Sequence, residues 1–190
     1  MTRLLVATLA SICLYGQQYF PSGAVGKSAT DWYSQQLRAM QAPSLLELST
    51  RHSKAEAYRF TWLRSFHHPT AVRLEILPDG TANVTSKMGS GKAGYEPGKI
   101  IVNRIVRVTQ VQVQTLIGAL SRLDFWNLPT MTDNGLVHVD GAQWLLEGVK
   151  DGRYHVVDRW SPDNRDPLRE FELTLVTRIA RIQIPKKEIY

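Results

Sequence analysis

The residues best equipped for chemistry lie between Asp140 and Pro162, where Glu147, His155, Asp158 and Arg159 are set among Trp144, Tyr154 and Trp160. Two carboxylates flanking a glycosidic bond can act as acid and base, or as acid and nucleophile, and aromatic rings beside them can hold a sugar. Glu147, Asp158 and His155 are therefore the candidate catalytic residues, and their reaction would be hydrolysis of a glycan or similar polymer. The opposing reading is that the carboxylates form structural ion pairs with Arg59, Arg64 or Arg73. No GxSxG elbow, HExxH helix or cysteine-based nucleophile accompanies them, which favours recognition over catalysis. The candidate binding residues are Trp62, His67, His68, Trp144, Tyr154, Arg159 and Trp160, with the hairpin and the His67-His68-Pro69 turn as the contact surface.

Positioning these groups is the task of a β-hairpin. Asp151-Gly152 suits a type I′ turn, and the residues on either side suit strands. A two-residue turn pairs Lys150 with Arg153, Gly148 with His155, Glu147 with Val156, Leu146 with Val157, Leu145 with Asp158 and Trp144 with Arg159. Glu147, Tyr154, Asp158 and Trp160 then share one face with Leu145 and Val149. The other face carries Trp144, Leu146, His155, Val157 and Arg159. Neither face is cleanly polar, so both are expected to be covered. Trp144 and Arg159 are expected to form a cation–π pair, and His155 to fill the space left by Gly148.

The five histidines, His52, His67, His68, His138 and His155, show no recognised ligand spacing, and no metal site is assigned. Two glycine patterns also fail their structural contexts. Pro21 to Ser28 ends like a P-loop, but Pro21 stands where the first glycine is required. Gly89-Ser90-Gly91-Lys92-Ala93-Gly94 matches GxGxxG, yet Tyr95-Glu96-Pro97-Gly98 cannot open the helix that a dinucleotide fold needs. No cofactor is expected.

Around the hairpin the chain reads as strands, helix, hairpin, helix. Tyr58 to Ser65 and Ala71 to Leu77 alternate as strands, Thr81 to Met88 is the next strand, polar enough for an edge, and these form an antiparallel meander; Ile100 to Val108 resumes strand character. Thr109 to Gln112 is a capping box, and Val113, Leu116, Ile117, Leu120 and Leu123 follow at helical spacing. Phe125 to Pro129 ends that helix and plugs the core. Asp166-Pro167 opens a second amphipathic helix through Leu168, Phe171, Leu175, Ile179 and Ile182. The expected fold is α+β: an antiparallel sheet, meander plus C-terminal hairpin, with two amphipathic helices packed on one face. Residues 57–184 form this single domain, residues 25–56 are an N-terminal helical or linker segment, and 185–190 is a tail.

The chain has 190 residues, 43% hydrophobic and 21% charged, a balance suited to one well-buried domain. A formal charge of +6 favours anionic neighbours, but the cations are scattered and no nucleic-acid motif is present, so nucleic acid is not an expected partner. Residues 1–24 have the order of a signal peptide: a basic start, an apolar run from Leu4 to Tyr15 too short to span a bilayer, then small residues up to Ala24. Cleavage is expected after Ala24 or nearer Gly16, giving a periplasmic or secreted protein and not an integral membrane protein. Without a signal peptide the location would be cytoplasmic. The one cysteine, Cys13, lies in that segment, so no intramolecular disulfide is possible. The leading reading is an exported or envelope-associated binding domain whose partner is a protein or envelope component; the alternative is the hydrolase.

Tyr58 to Pro69, Gly94 to Gly98, Phe125 to Pro129 and Asp140 to Pro162 together resemble a family of uncharacterised bacterial proteins. The resemblance runs from about Tyr58 to the final helix and is most specific in Gly152 to Pro162. It implies no established activity. Val137-His138-Val139 lengthens the approach to Asp140 relative to the family pattern.

Overall fold

The structure, a computed structural model, describes residues 16–132 and 140–190. The expectations for Cys13, His138 and the apolar run to Tyr15 lie outside the described residues. The elements in chain order are α1 (Lys27–Ala39), α2 (Leu45–Arg51), β1 (Glu56–Arg64), β2 (Thr70–Ile76), β3 (Ala82–Gly89) and β4 (Ile100–Val108). They are followed by α3 (Gln110–Arg122), β5 (Ala142–Lys150), β6 (Arg153–Trp160) and α4 (Pro167–Leu173). All six strands form one antiparallel sheet in the order β4-β3-β2-β1-β5-β6, so the fold is α+β as expected. The meander runs outward from β1 to β4, and α3 carries the chain back so that β5 pairs on the free side of β1.

Local chemistry sets the element ends. Thr109 Oγ1 accepts from the Gln112 amide at 3.3 Å while Gln112 Oε1 accepts from the Thr109 amide at 2.9 Å, closing the capping box that starts α3. Asp166 Oδ1 accepts from the Leu168 amide at 2.8 Å, with Pro167 at the first helical position of α4. At the hairpin tip Asp151 and Gly152 have φ of 50° and 75°, the left-handed values of a type I′ turn. The pairing is the expected one, residue for residue, from Lys150↔Arg153 to Trp144↔Arg159.

The two sheet faces are built differently. On one, Tyr58, Phe60, Trp62, Leu74, Val84, Trp144, Leu146 and Val157 pack beneath Val113, Leu116 and Leu120 of α3 and Leu168 and Phe171 of α4. After Leu173 the helix widens into a π-helical stretch, Thr174–Ile179, which buries Leu175 and Val176 in the same core. On the other face, Tyr33 and Leu37 of α1, with Tyr19, Phe20 and Met40, pack on Leu63, Ala71, Leu145 and Val156. Residues 25–56, expected as a helical or linker segment outside the core domain, thus supply a third layer. Ser44 caps α2 by accepting from the Glu47 amide at 3.1 Å, and Leu45 of that helix sits with Ala57 and Val149.

Candidate functional site

Glu147 lies on the face covered by α1 and α2 and is fully buried. Arg59, its neighbour across the β1–β5 pairing, donates from Nε to Oε2 at 2.7 Å and from Nη2 to Oε1 at 2.8 Å. The Tyr154 hydroxyl donates to Oε1 at 2.9 Å, and Arg59 Nη1 donates to the Pro43 carbonyl at 2.6 Å. Every polar atom of the carboxylate is therefore occupied by fixed donors, and the guanidinium also ties the α1–α2 connection to the sheet. Tyr154, expected to bind a partner, holds this ion pair instead.

Asp158 is four per cent exposed on the same face, and among the described residues no arginine bonds its side-chain oxygens. Tyr33 of α1 donates its hydroxyl to Oδ2 at 2.9 Å, and Gln143 Nε2 donates to Oδ1 at 2.7 Å and to the Tyr33 hydroxyl at 2.6 Å. Burial pushes the Asp158 carboxyl up to about 6, partly offset by the Tyr33 hydrogen bond and by Arg159. Glu147 and Asp158 hold separate partner sets among the described residues, and both are withdrawn from solvent, at 0% and 4% exposed. This arrangement lends the hydrolase reading no support. The expected pairing with a meander arginine occurs at Glu147 through Arg59; Arg64 pairs with Glu188 and Arg73 with Glu75.

His155 does not fill the space beside Gly148. That space belongs to Phe125, because a Cβ on Gly148 would stand 2.6 Å from Phe125 Cε1 and 3.0 Å from Tyr58 Cδ1. The His155 ring packs edge-on against Phe125, with centroids 5.1 Å apart, and burial lowers its pKa.

Trp62 and Trp144, expected on a contact surface, are wholly buried opposite one another, with ring centroids 4.6 Å apart. The cation on Trp144 is Arg169 of α4, 4.9 Å from the ring centroid, not Arg159; Arg64 covers Trp62 at 4.4 Å. Residues 185–190 cross this cluster. The Trp144 indole donates to the Tyr190 carbonyl at 3.0 Å, Arg169 Nη2 to the Ile189 carbonyl at 3.2 Å, and Arg64 Nη1 to the Glu188 carbonyl at 3.3 Å. His67 Nδ1 meets the Tyr190 hydroxyl at 2.8 Å. His68, exposed, meets the Gly91 carbonyl at 2.8 Å. Trp62, His67 and Trp144 are thus brought together, while Tyr154, Arg159 and Trp160 are not part of that group. Trp160 is half-buried at the end of β6, packed over Gly141.

Arg159 turns away from Trp144 toward α3 and α4. Its guanidinium donates to the Pro129 carbonyl at 3.0 Å and the Thr130 carbonyl at 3.1 Å, and it lines a cleft of about 920 Å³. The floor is apolar, from Leu116, Leu123, Leu128, Leu168 and Phe171, and Arg122 and Arg165 stand at its rim with Asp163 and Glu170. The cleft needs two helices far apart in sequence, which is why no single motif marks it. Sequence reading also missed Glu172, which is fully buried, with no hydrogen-bond partner among the described residues for either carboxylate oxygen. Burial holds its carboxyl well above the usual range. Its place between Leu168 and Leu175 on the apolar side of α4 was the available signal.

Among the described residues no group of three or more His, Cys, Asp or Glu side chains is gathered as metal ligands would be, and no helix is long and apolar enough to cross a membrane. A scan against protein-family models finds no match, and neither does a search of curated proteins.

Proposed function

We propose that the chain is a non-catalytic binding domain, exported or envelope-associated, whose partner enters the cleft between α3 and α4. The observation that carries this reading is the cleft itself: about 920 Å³, with a leucine and phenylalanine floor, lined by Arg122, Arg159 and Arg165 together with Asp163, Asp166 and Glu170. Recognition sites commonly combine an apolar floor with a few fixed polar groups, and Arg159 is fixed by the carbonyls of Pro129 and Thr130. Catalysis is disfavoured because Glu147 is locked by Arg59 and Tyr154 and is out of reach of a polymer. Export rests on the leader-like order of residues 1–24. Burial of Tyr19 and Phe20 favours a processing site near Gly16 over one after Ala24.

The test uses 1-anilinonaphthalene-8-sulfonate, an apolar anionic probe matched to the floor and the arginines. One saturable site is expected, lost on Ala119→Trp, which fills the cleft from the α3 wall, with the melting transition retained. Absence of saturable binding, or binding indifferent to Ala119→Trp, would sink the proposal.

A further inference from the structure

The tryptophan pair beneath residues 185–190 has the construction of a second recognition site. Each arginine beside it is held by the domain and has donors left over. Arg64 stacks on Trp62 and donates from Nη2 to the His68 carbonyl at 3.3 Å; its Nη1 is the group that reaches Glu188. Arg169 stacks on Trp144 and donates from Nη1 to the Pro162 carbonyl at 3.0 Å; its Nη2 is the group that reaches Ile189. The donors are therefore aimed by contacts that do not involve the segment they bind. Arg64 and Arg169 are 1% and 7% exposed, and the Trp62 indole nitrogen and Arg64 Nε are buried with no hydrogen-bond partner among the described residues.

What lies across these donors is a segment that makes one 3-10 turn at Lys186–Glu188 and then supplies acceptors. Three consecutive carbonyls, of Glu188, Ile189 and Tyr190, receive Arg64, Arg169 and Trp144. Two side chains add selectivity: Glu188 Oε2 lies 3.4 Å from Arg64 Nη1 and 3.8 Å from His67 Nε2, and the Tyr190 hydroxyl meets His67 Nδ1. The rest of the segment, Pro185, Lys186 and Lys187, is exposed, and a groove of about 440 Å³ lined by Asn164, Arg169, Leu173, Lys186 and Ile189 runs beside it. Main-chain acceptors give such a contact its affinity, and the spacing of side chains gives it specificity.

We infer that the groove over Trp62 and Trp144 is a peptide-binding site for a segment that makes one 3-10 turn and carries a carboxylate two residues before a tyrosine, with residues 185–190 as its occupant in cis. A trans ligand of that chemistry binds when the cis segment leaves, since an empty groove would strand buried arginine and indole donors. The site is separate from the α3–α4 cleft and stands or falls without it.

The experiment follows binding of a fluorescein-labelled synthetic peptide with the sequence Gln183 to Tyr190 by anisotropy. A chain lacking residues 185–190 is expected to bind it saturably at one site. The full chain should bind at least about tenfold more weakly, because the tethered copy competes at high effective concentration. Peptides carrying Glu188→Lys or Tyr190→Phe should each lose affinity for the shortened chain. A shortened chain that melts cooperatively yet does not bind, or a full chain that binds equally well, overturns the site. If the shortened chain does not fold, full-length Glu188→Lys, which sets a cation against Arg64, decides. Peptide binding and increased iodide quenching of tryptophan support the inference, and neither appearing overturns it.

Discussion

Arg59 and Glu147 stand opposite each other across β1 and β5, joined by two parallel hydrogen bonds of 2.7 and 2.8 Å, and both are almost wholly withdrawn from water. Removing one partner of such a pair leaves a charge with no solvent to receive it. Glu147→Ala should destabilise the protein by about 3–5 kcal/mol, while the double change Arg59→Met with Glu147→Leu should restore most of that loss. Urea denaturation of the three variants measures both. A Glu147→Ala protein as stable as the parent would mean that the pair is not structural and would reopen the catalytic reading.

Asp158 makes stability depend on pH in a defined direction. Its folded pKa of about 6 lies above the unfolded value of about 3.9, so the folded state holds the proton more tightly. Stability is then greatest below the unfolded pKa and falls as pH rises from about 4 through about 6. The gap between the two values corresponds to a cost of roughly 3 kcal/mol at neutral pH, an upper figure because the Gln143 hydrogen bond also favours the anion. Asp158→Asn should flatten this fall and leave the protein at least as stable at pH 7.5. Urea midpoints from pH 4.5 to 7.5 test it, and identical pH slopes in the two proteins would refute it.

The elements of this fold were legible where a short-range rule decides them. The Asp151-Gly152 turn sets the register of the whole hairpin, and Thr109 with Gln112 marks the start of α3 within one residue. The third layer was not, because α1 carries Ser34 and Gln36 on its buried side; Gln36 Nε2 donates to the Ala93 carbonyl of a distant loop, while its Oε1 is buried without a hydrogen-bond partner among the described residues. Side-chain partners failed for the same reason. Trp144 and Arg159 are register neighbours, but α4 brings Arg169 over the indole, and α4 enters the sheet's environment only through tertiary packing. The tryptophans could be singled out by type; that residues 185–190 would cover them could not, since nothing local links Arg64 to Glu188.

Gly148 is required by a side chain from outside the hairpin. Phe125 occupies the volume where a Cβ would stand and meets Tyr58 edge-on at 6.0 Å between centroids. Gly148→Ala should therefore cost about 1–3 kcal/mol through overpacking, and Phe125→Leu in the same chain should recover part of it by vacating the contact. Thermal melts of the single and double variants give the coupling directly. Strict additivity would show that the glycine is needed for the strand backbone and not for the ring.

Tyr19 and Phe20 set where an exported form of this chain can begin. Both are at most 2% exposed, the Tyr19 hydroxyl donates to the Ala42 carbonyl at 2.8 Å, and the Gln18 carbonyl accepts from Ser44 at 2.5 Å. Losing a buried large aromatic costs about 3–5 kcal/mol, and losing two approaches the whole 5–15 kcal/mol by which a domain is stable. Processing after Ala24 would strip the α1 layer of both rings, whereas processing near Gly16 keeps them. The mature chain recovered from an envelope fraction is therefore expected to retain Tyr19, with an intact mass placing its start near Gly16. A mature chain beginning at Val25 that still melts cooperatively at the parental temperature would show that neither ring holds that layer to Leu145 and Val156.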